Sequence, residues 1–370
     1  MTYEEILAGL REKMTGATDA ENEAILREEG LKFGKEGKNN GVRAVGELLL
    51  EVMPEAEKKE VQLLTHLDGI RIDEYYKNIV ELVNQKNCVD AKPMAEKLYY
   101  KIVEEYREGE DAMFVSLKNP FEDNLYQYLF KPEKKLNRAP FDFATYLTTY
   151  GFILFETGSP LDAIPVLEKA MEYNPVDCTP KFELAEVYKM IHNKNKLIEI
   201  TKETLRVASS PQAIARCYAN MGYMCTDIRE LDDAVAFYCA SVMMAPHPAI
   251  PRELQGIAQM KNSAITEPTF DQIKAVLAKY GMEFGPNKDV ISVAAQLSSH
   301  YMLKKDMPNA IMALKLLYNL TRDEQVMEMI KKYDPSAKLV KPAGVQLSEG
   351  KPNITRTVNE NPEKDENNEE

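Results

Sequence analysis

Three landmarks in this chain recur at a single offset. Gly151 and Gly222, Ala163 and Ala234, and Pro175 and Pro246 are each 71 residues apart (222 − 151 = 234 − 163 = 246 − 175). That offset is about two periods of 34 residues plus a small insertion. A chain with an internal period of this size must stack similar units, because one unit cannot bury its apolar face alone.

Residues 154–175, LFETGSPLDAIPVLEKAMEYNP, contain much of one unit. Leu147, Tyr150, Gly151 and Leu154 mark the apolar face of a first helix ending near Glu156. Thr157-Gly158 reads as a turn, with Gly supplying a backbone angle other residues resist. Ser159 is placed to cap the next helix, Pro160 suits its first turn, and Asp162 favours its dipole. Ala163, Leu167, Ala170 and Met171 recur at helical spacing before Pro175 ends the element, while Pro165 predicts a bend. In a second copy, Tyr218, Met221, Gly222 and Cys225 line one helix, and Ala234, Tyr238 and Ser241 line its partner before Pro246. Between them, Leu184, Ala185 and Tyr188 precede Leu197, Thr201 and Leu205, with Pro211 after. Leu197 stands where the flanking units have alanine, so this middle unit is degenerate and a looser helix pair is expected.

This arrangement resembles the tetratricopeptide repeat family, most strongly over 143–247. Gly151, Ala163, Leu167, Ala170 and Pro175 fit its five-position pattern of small, small, bulky, small and Pro, and so do Gly222, Ala234, Tyr238, Ser241 and Pro246. The resemblance implies an all-α fold, a right-handed superhelical solenoid of antiparallel helix pairs. It also implies a concave groove lined by the first helix of each unit. Carried onto this chain, that face presents Thr145, Thr148, Phe152 and Phe155, then Phe182, Glu186 and Lys189, then Arg216, Ala219, Tyr223 and Thr226. The candidate peptide-binding residues are Thr148, Phe152, Phe155, Phe182, Glu186, Lys189, Arg216 and Tyr223. Aromatic residues and arginine are the usual anchors of such interfaces. Family members that grip the carboxylate of chaperone tails use Lys at the fifth position and Asn at the ninth. Here these are Thr148 and Phe152, with Arg216 and Asn220 only a partial echo. Loss of that clamp points to an apolar or amphipathic segment as the guest.

The expected organisation follows from this array. Residues 1–70 form an N-terminal helical region, and 71–110 a degenerate repeat-like hairpin carrying Tyr76, Ile79, Val80 and Val83, then Leu98, Tyr99, Ile102 and Tyr106. Residues 111–142 form an aromatic, Pro-rich insertion, because Pro120, Pro132 and Pro140 prevent a long helix. Its aromatics are expected to pack against the solenoid, with a strap shaping the groove as the alternative. The array of about three units occupies 143–250, and degenerate helical repeats occupy 251–335. Residues 336–370 are rich in Pro, Asn and Glu and predict a disordered acidic tail.

Charge and motifs narrow the function. The 46 Lys and Arg against 59 Asp and Glu give a formal charge of −13, which repels nucleic-acid phosphates and anionic membranes. Residues 1–70 are acidic and lack a helix-turn-helix with basic recognition residues. The start, MTYEEILAGLREKM, lacks the basic and apolar regions of a signal peptide, and no run approaches a membrane span; a cytoplasmic location is expected. Five scattered cysteines without CxxC spacing, and four isolated histidines, suit buried reduced thiols better than a zinc site. No phosphate loop, GxSxG or HExxH occurs. The reading is a non-catalytic adaptor with no cofactor, whose groove binds a peptide or helix of another protein. A regulatory sensor for a small ligand or signalling peptide is the alternative, and self-association through stacked solenoid ends is a third.

Overall fold

The structure, a computed structural model, describes residues 2–35 and 38–337. The expected disordered tail lies, from residue 338 on, outside the described residues. The chain divides into two compact units, Met1–Asn78 and Ile79–Glu370.

In the first unit, α1 (Tyr3–Lys13), α2 (Asp19–Lys35) and α3 (Asn39–Val52) pack together, followed by α4 (Glu55–Thr65). Thr2 opens α1 with a capping box, its hydroxyl accepting from the Glu5 amide while Glu5 reaches back. Ile6, Leu10, Leu26, Ala44, Val45, Leu48 and Val52 form the core. A short hairpin follows, β1 (His66–Leu67) against β2 (Ile70–Arg71). Asp68 and Gly69 turn it with φ of 54° and 77°. Positive φ at both turn residues is what an Asp-Gly hairpin requires. The helix α5 (Ile72–Asn84) carries the chain onward.

The second unit is an all-α solenoid of antiparallel helix pairs. After α6 (Cys88–Glu105), the pairs are α8 (Phe143–Glu156) with α9 (Pro160–Tyr173), α10 (Cys178–Met190) with α11 (Lys194–Val207), and α12 (Pro211–Asp227) with α13 (Leu231–Met244). Both α14 (Ile250–Lys261) and α15 (Phe270–Lys279) pack on α13. A last pair, α16 (Lys288–Leu303) with α17 (Met307–Thr321), is closed by α18 (Glu324–Tyr333).

The repeat landmarks pack as their sizes require. A Cβ on Gly151 would lie 2.5 Å from Leu167 Cδ2, and one on Gly222 would lie 2.8 Å from Tyr238 Cε1. The two glycines therefore bring each helix pair close enough for the bulky partner to lie on bare backbone. Ser241, fully buried, donates to the Ala215 carbonyl at 2.7 Å and fastens α13 to α12. In the middle unit the large residue has moved: Leu197 is buried, Thr201 takes the phase of Leu167 (167 + 34 = 201), and Thr204 rather than Leu205 is buried. That pair packs less closely than its neighbours. Pro165 does not break α9. Ser159 sits at the N-cap without a side-chain cap bond, and its hydroxyl accepts from Lys92 Nζ at 3.0 Å.

The turns share a geometry that residue identity conceals. Gly158, His192, Arg229 and Lys305 all adopt a left-handed conformation, with φ of 81°, 55°, 68° and 59°. In each, the next amide donates to the carbonyl five residues back: Ser159 to Leu154, Asn193 to Tyr188, Glu230 to Cys225 and Asp306 to Tyr301, at 2.8–2.9 Å. This closure satisfies carbonyls that a helix end leaves unpaired. Only one of the four positions is glycine. Lys305→Gly is expected to stabilise the protein by about 1 kcal/mol, since a left-handed non-glycine residue costs about that much. The check is a higher urea midpoint at unchanged slope.

Residues 111–142 fold more regularly than their prolines suggest. β3 (Ala112–Val115) pairs in parallel with β4 (Lys135–Arg138), and α7 (Pro120–Phe130) connects them. Pro120 occupies the first turn of α7, where its missing amide is harmless, and Asn119 caps it. The Ser116 amide donates to Tyr173 O at 2.8 Å, and Lys118 pairs with Asp177 at 2.5 Å. Arg206 reaches Leu129 O at 3.4 Å, and α7 lies against α16. These contacts tie the segment to the ends of α9 and α11, to the start of α10 and to α16.

Candidate functional site

Among the first helices, α8 packs on α10, and the Glu186–Arg216 pair joins α10 to α12. Residues three and four apart share a helix face, which puts Thr145, Thr149, Phe152 and Glu156 on α8 in one row. Glu183 and Glu186 continue it on α10, and Arg216, Ala219, Tyr223 and Thr226 on α12. All of these are half-buried except Glu156, which is exposed.

Five of the eight candidate residues interlock across α10 and α12. Glu186 Oε1 accepts from Lys189 Nζ at 2.8 Å and lies 3.4 Å from an Arg216 guanidinium nitrogen. The Arg216 guanidinium carbon sits 4.5 Å from the Phe182 ring centre, and Lys189 Nζ lies 5.3 Å from that of Tyr223. Partly exposed ion pairs and cation–π contacts contribute about 0.5–1 kcal/mol each. The cluster thus fixes side-chain geometry more than it stabilises the fold.

The other three are placed differently. Thr148 is 7% exposed and its hydroxyl donates to Ala144 O at 2.6 Å, so it is engaged within its own helix. Phe152 and Phe155 are half-buried. Phe182 is buried beneath Arg216.

The electrostatics bring in residues that the sequence reading did not single out. Burial pushes the Glu183 carboxyl up; Glu186 and Glu156 push the same way, and Arg216 opposes them. Burial lowers His247, and the charges of Arg216 and Lys189 lower it further against Glu253. His247 is therefore neutral at neutral pH, and its Nδ1 is shielded from water without a hydrogen-bond partner. The groups that feel one another thus run from Glu156 on α8, through Glu183 and Arg216, to His247 and Glu253. Helical spacing from Phe152 and Glu186 could have found Glu156 and Glu183. His247 lies in the turn before α14, where no periodicity marks it.

A raised carboxylate weakens the fold as it ionises. Glu183 costs nothing at low pH, where it is protonated folded and unfolded; the cost appears as pH rises through the unfolded and then the folded value. Glu183→Gln is therefore expected to melt higher than the parent at neutral pH and equally at pH 3. Thermal unfolding at both pH values checks the sign.

The five cysteines are unbridged. Burial pushes Cys178 and Cys239 up to about 12 and Cys225 up to about 11, so their thiols stay protonated. Among the described residues, no group of three or more His, Cys, Asp or Glu could hold a metal ion. Among them, too, no helix is long and apolar enough to cross a membrane. A cavity of about 350 Å³ lies away from the row, between α7, the starts of α10 and α12, and α16–α17. Phe121, Leu125, Val176, Leu297 and Met312 form its apolar wall. Its carboxylates are already engaged, Glu122 by Asn174 at 2.8 Å and Asp177 by Lys118.

No family model matches this chain, and no curated protein matches it. Among solved structures, it is similar to a chain in the crystal structure of the APC/C hetero-tetramer Cut9-Hcn1. The match has 14% identity and a TM-score of 0.30, and it covers 80% of this chain. It spans 53%, about half, of that chain.

Proposed function

We propose that the second unit is a non-catalytic interaction module, built on the plan of tetratricopeptide repeats, that holds a peptide or helix of another protein against α8, α10 and α12. One observation carries the reading. Phe152, Phe155 and Tyr223 stay half-exposed beside a charged cluster that is already held in place by Phe182, Glu186, Lys189 and Arg216. Side chains fixed before binding lose little freedom on binding, which favours recognition. The test is capture from native lysate by the intact protein and by Phe152→Ala/Tyr223→Ala, after far-UV dichroism confirms the variant's helices. A partner held by the first and lost by the second is expected. A partner held equally by both places binding elsewhere and defeats the groove reading.

The cavity beside α7 supports a second reading, a sensor for a small ligand. Its volume lies at the low end of small-molecule sites and its wall is mostly apolar. A ligand that remains bound in native mass spectrometry, and is lost on Ala313→Phe, would favour the sensor.

A further inference from the structure

We infer that the segment this groove accepts carries at least one arginine or lysine next to its apolar side chains. The inference rests on the groove reading above and follows from charge. Three carboxylates, Glu156, Glu183 and Glu186, stand along the row, with Glu253 of α14 facing His247, against two cations, Lys189 and Arg216. Both cations converge on one oxygen of Glu186. Arg216 is also stacked on Phe182 and Lys189 lies over Tyr223, so neither is free to turn outward to a guest. Among the described residues, no hydrogen bond or ion pair engages the side-chain carboxylate of Glu156 or Glu183. Neutral His247 adds no charge.

An acidic guest would therefore meet Glu156 and Glu183, of which only Glu183 feels a nearby cation, the already engaged Arg216. A guest cation would instead find acceptors already drawn partly out of water at Glu183. Charge pairs formed in such a setting are stronger than those at an open surface. The neighbouring rings of Phe152, Phe155 and Tyr223 can take the guest's apolar side chains and stack against the guanidinium of an arginine.

The test uses random twelve-residue peptides displayed on phage, selected on the full chain and read by sequencing. The expected winners hold Arg or Lys within four residues of Leu, Phe or Tyr. A synthetic copy of a winner should bind Glu156→Gln/Glu183→Gln about tenfold more weakly, a loss typical of a partly desolvated charge pair. It should not bind Phe152→Ala/Tyr223→Ala. Winners that are lost with the aromatic variant but lack cations, or that bind the glutamine variant undiminished, overturn the inference and leave the groove standing. Winners indifferent to both variants, or no winners at all, remove the groove reading and the inference with it.

Discussion

Gly222→Val should lower stability by at least about 3 kcal/mol. A Cβ at this position meets the Tyr238 ring at 2.8–2.9 Å on three of its carbons. That ring is 2% exposed, so it has nowhere to swing. Overpacking of a dense core costs about 1–3 kcal/mol, and valine adds two further carbons at the tightest point between α12 and α13. Even Gly222→Ala should be destabilising, despite the gain of about 1 kcal/mol that alanine brings to a helix. An internal control separates the two effects. Gly256 is 34 residues further on (222 + 34 = 256), in α14, with nothing within 4 Å of an added Cβ. Gly256→Ala should stabilise by up to about 1 kcal/mol. Denaturant titration of the three variants gives the comparison, and equal signs for the two alanine variants would refute the packing account.

Tyr218→Ala should cost about 3–5 kcal/mol, the usual penalty for emptying a large aromatic site. Tyr218 is fully buried in α12, and its hydroxyl does two jobs. It donates to Glu283 O and accepts from the Gly285 amide, both at 2.8 Å, while Phe284 stacks on its ring. Residues 283–285 are thereby pinned to the array ahead of α16. Tyr218→Phe keeps the packing and removes the tether, so it should cost only about 1–2 kcal/mol. Its mark should be local: faster amide exchange at Gly285 with little change in α12. Uniform exchange across both would show that the hydroxyl does not hold this connection.

The array was legible because its signal lies in side-chain volume. Gly151 with Leu167, and Gly222 with Tyr238, are readable from the sequence alone since the shared offset reports one contact made twice. Gly256 shows the limit of that logic. It keeps the phase, but no bulky residue meets it, so sequence phase outlasted the contact. The turns were half-legible for a related reason. Gly158 announces its left-handed backbone, whereas His192, Arg229 and Lys305 adopt the same conformation because the helices on either side impose it. The hairpin at Asp68-Gly69 carried a readable signal that the helical reading passed over. The parallel pairing of β3 and β4 had no such signal, because its register depends on α7 and on the end of α9. At the candidate groove, spacing grouped Phe152, Glu186, Arg216 and Tyr223 as candidate contacts. It could not show that Arg216 spends its charge on Glu186, which depends on how two helices approach each other.

A stacked array ordinarily behaves like a row of beads, each unit answering only to the next, and it can fray from either end. The contact between α7 and α16 interrupts that arrangement. It joins residues 120–130 to residues 288–303, so one stitch spans the eight helices from α8 to α15. Closing so long a loop makes the route to the folded state slower, because much chain entropy is lost before the contact forms. Once closed, the last helix pair cannot peel away without also releasing α7. The unit should therefore open in a single concerted step where a simple row of repeats would melt in stages.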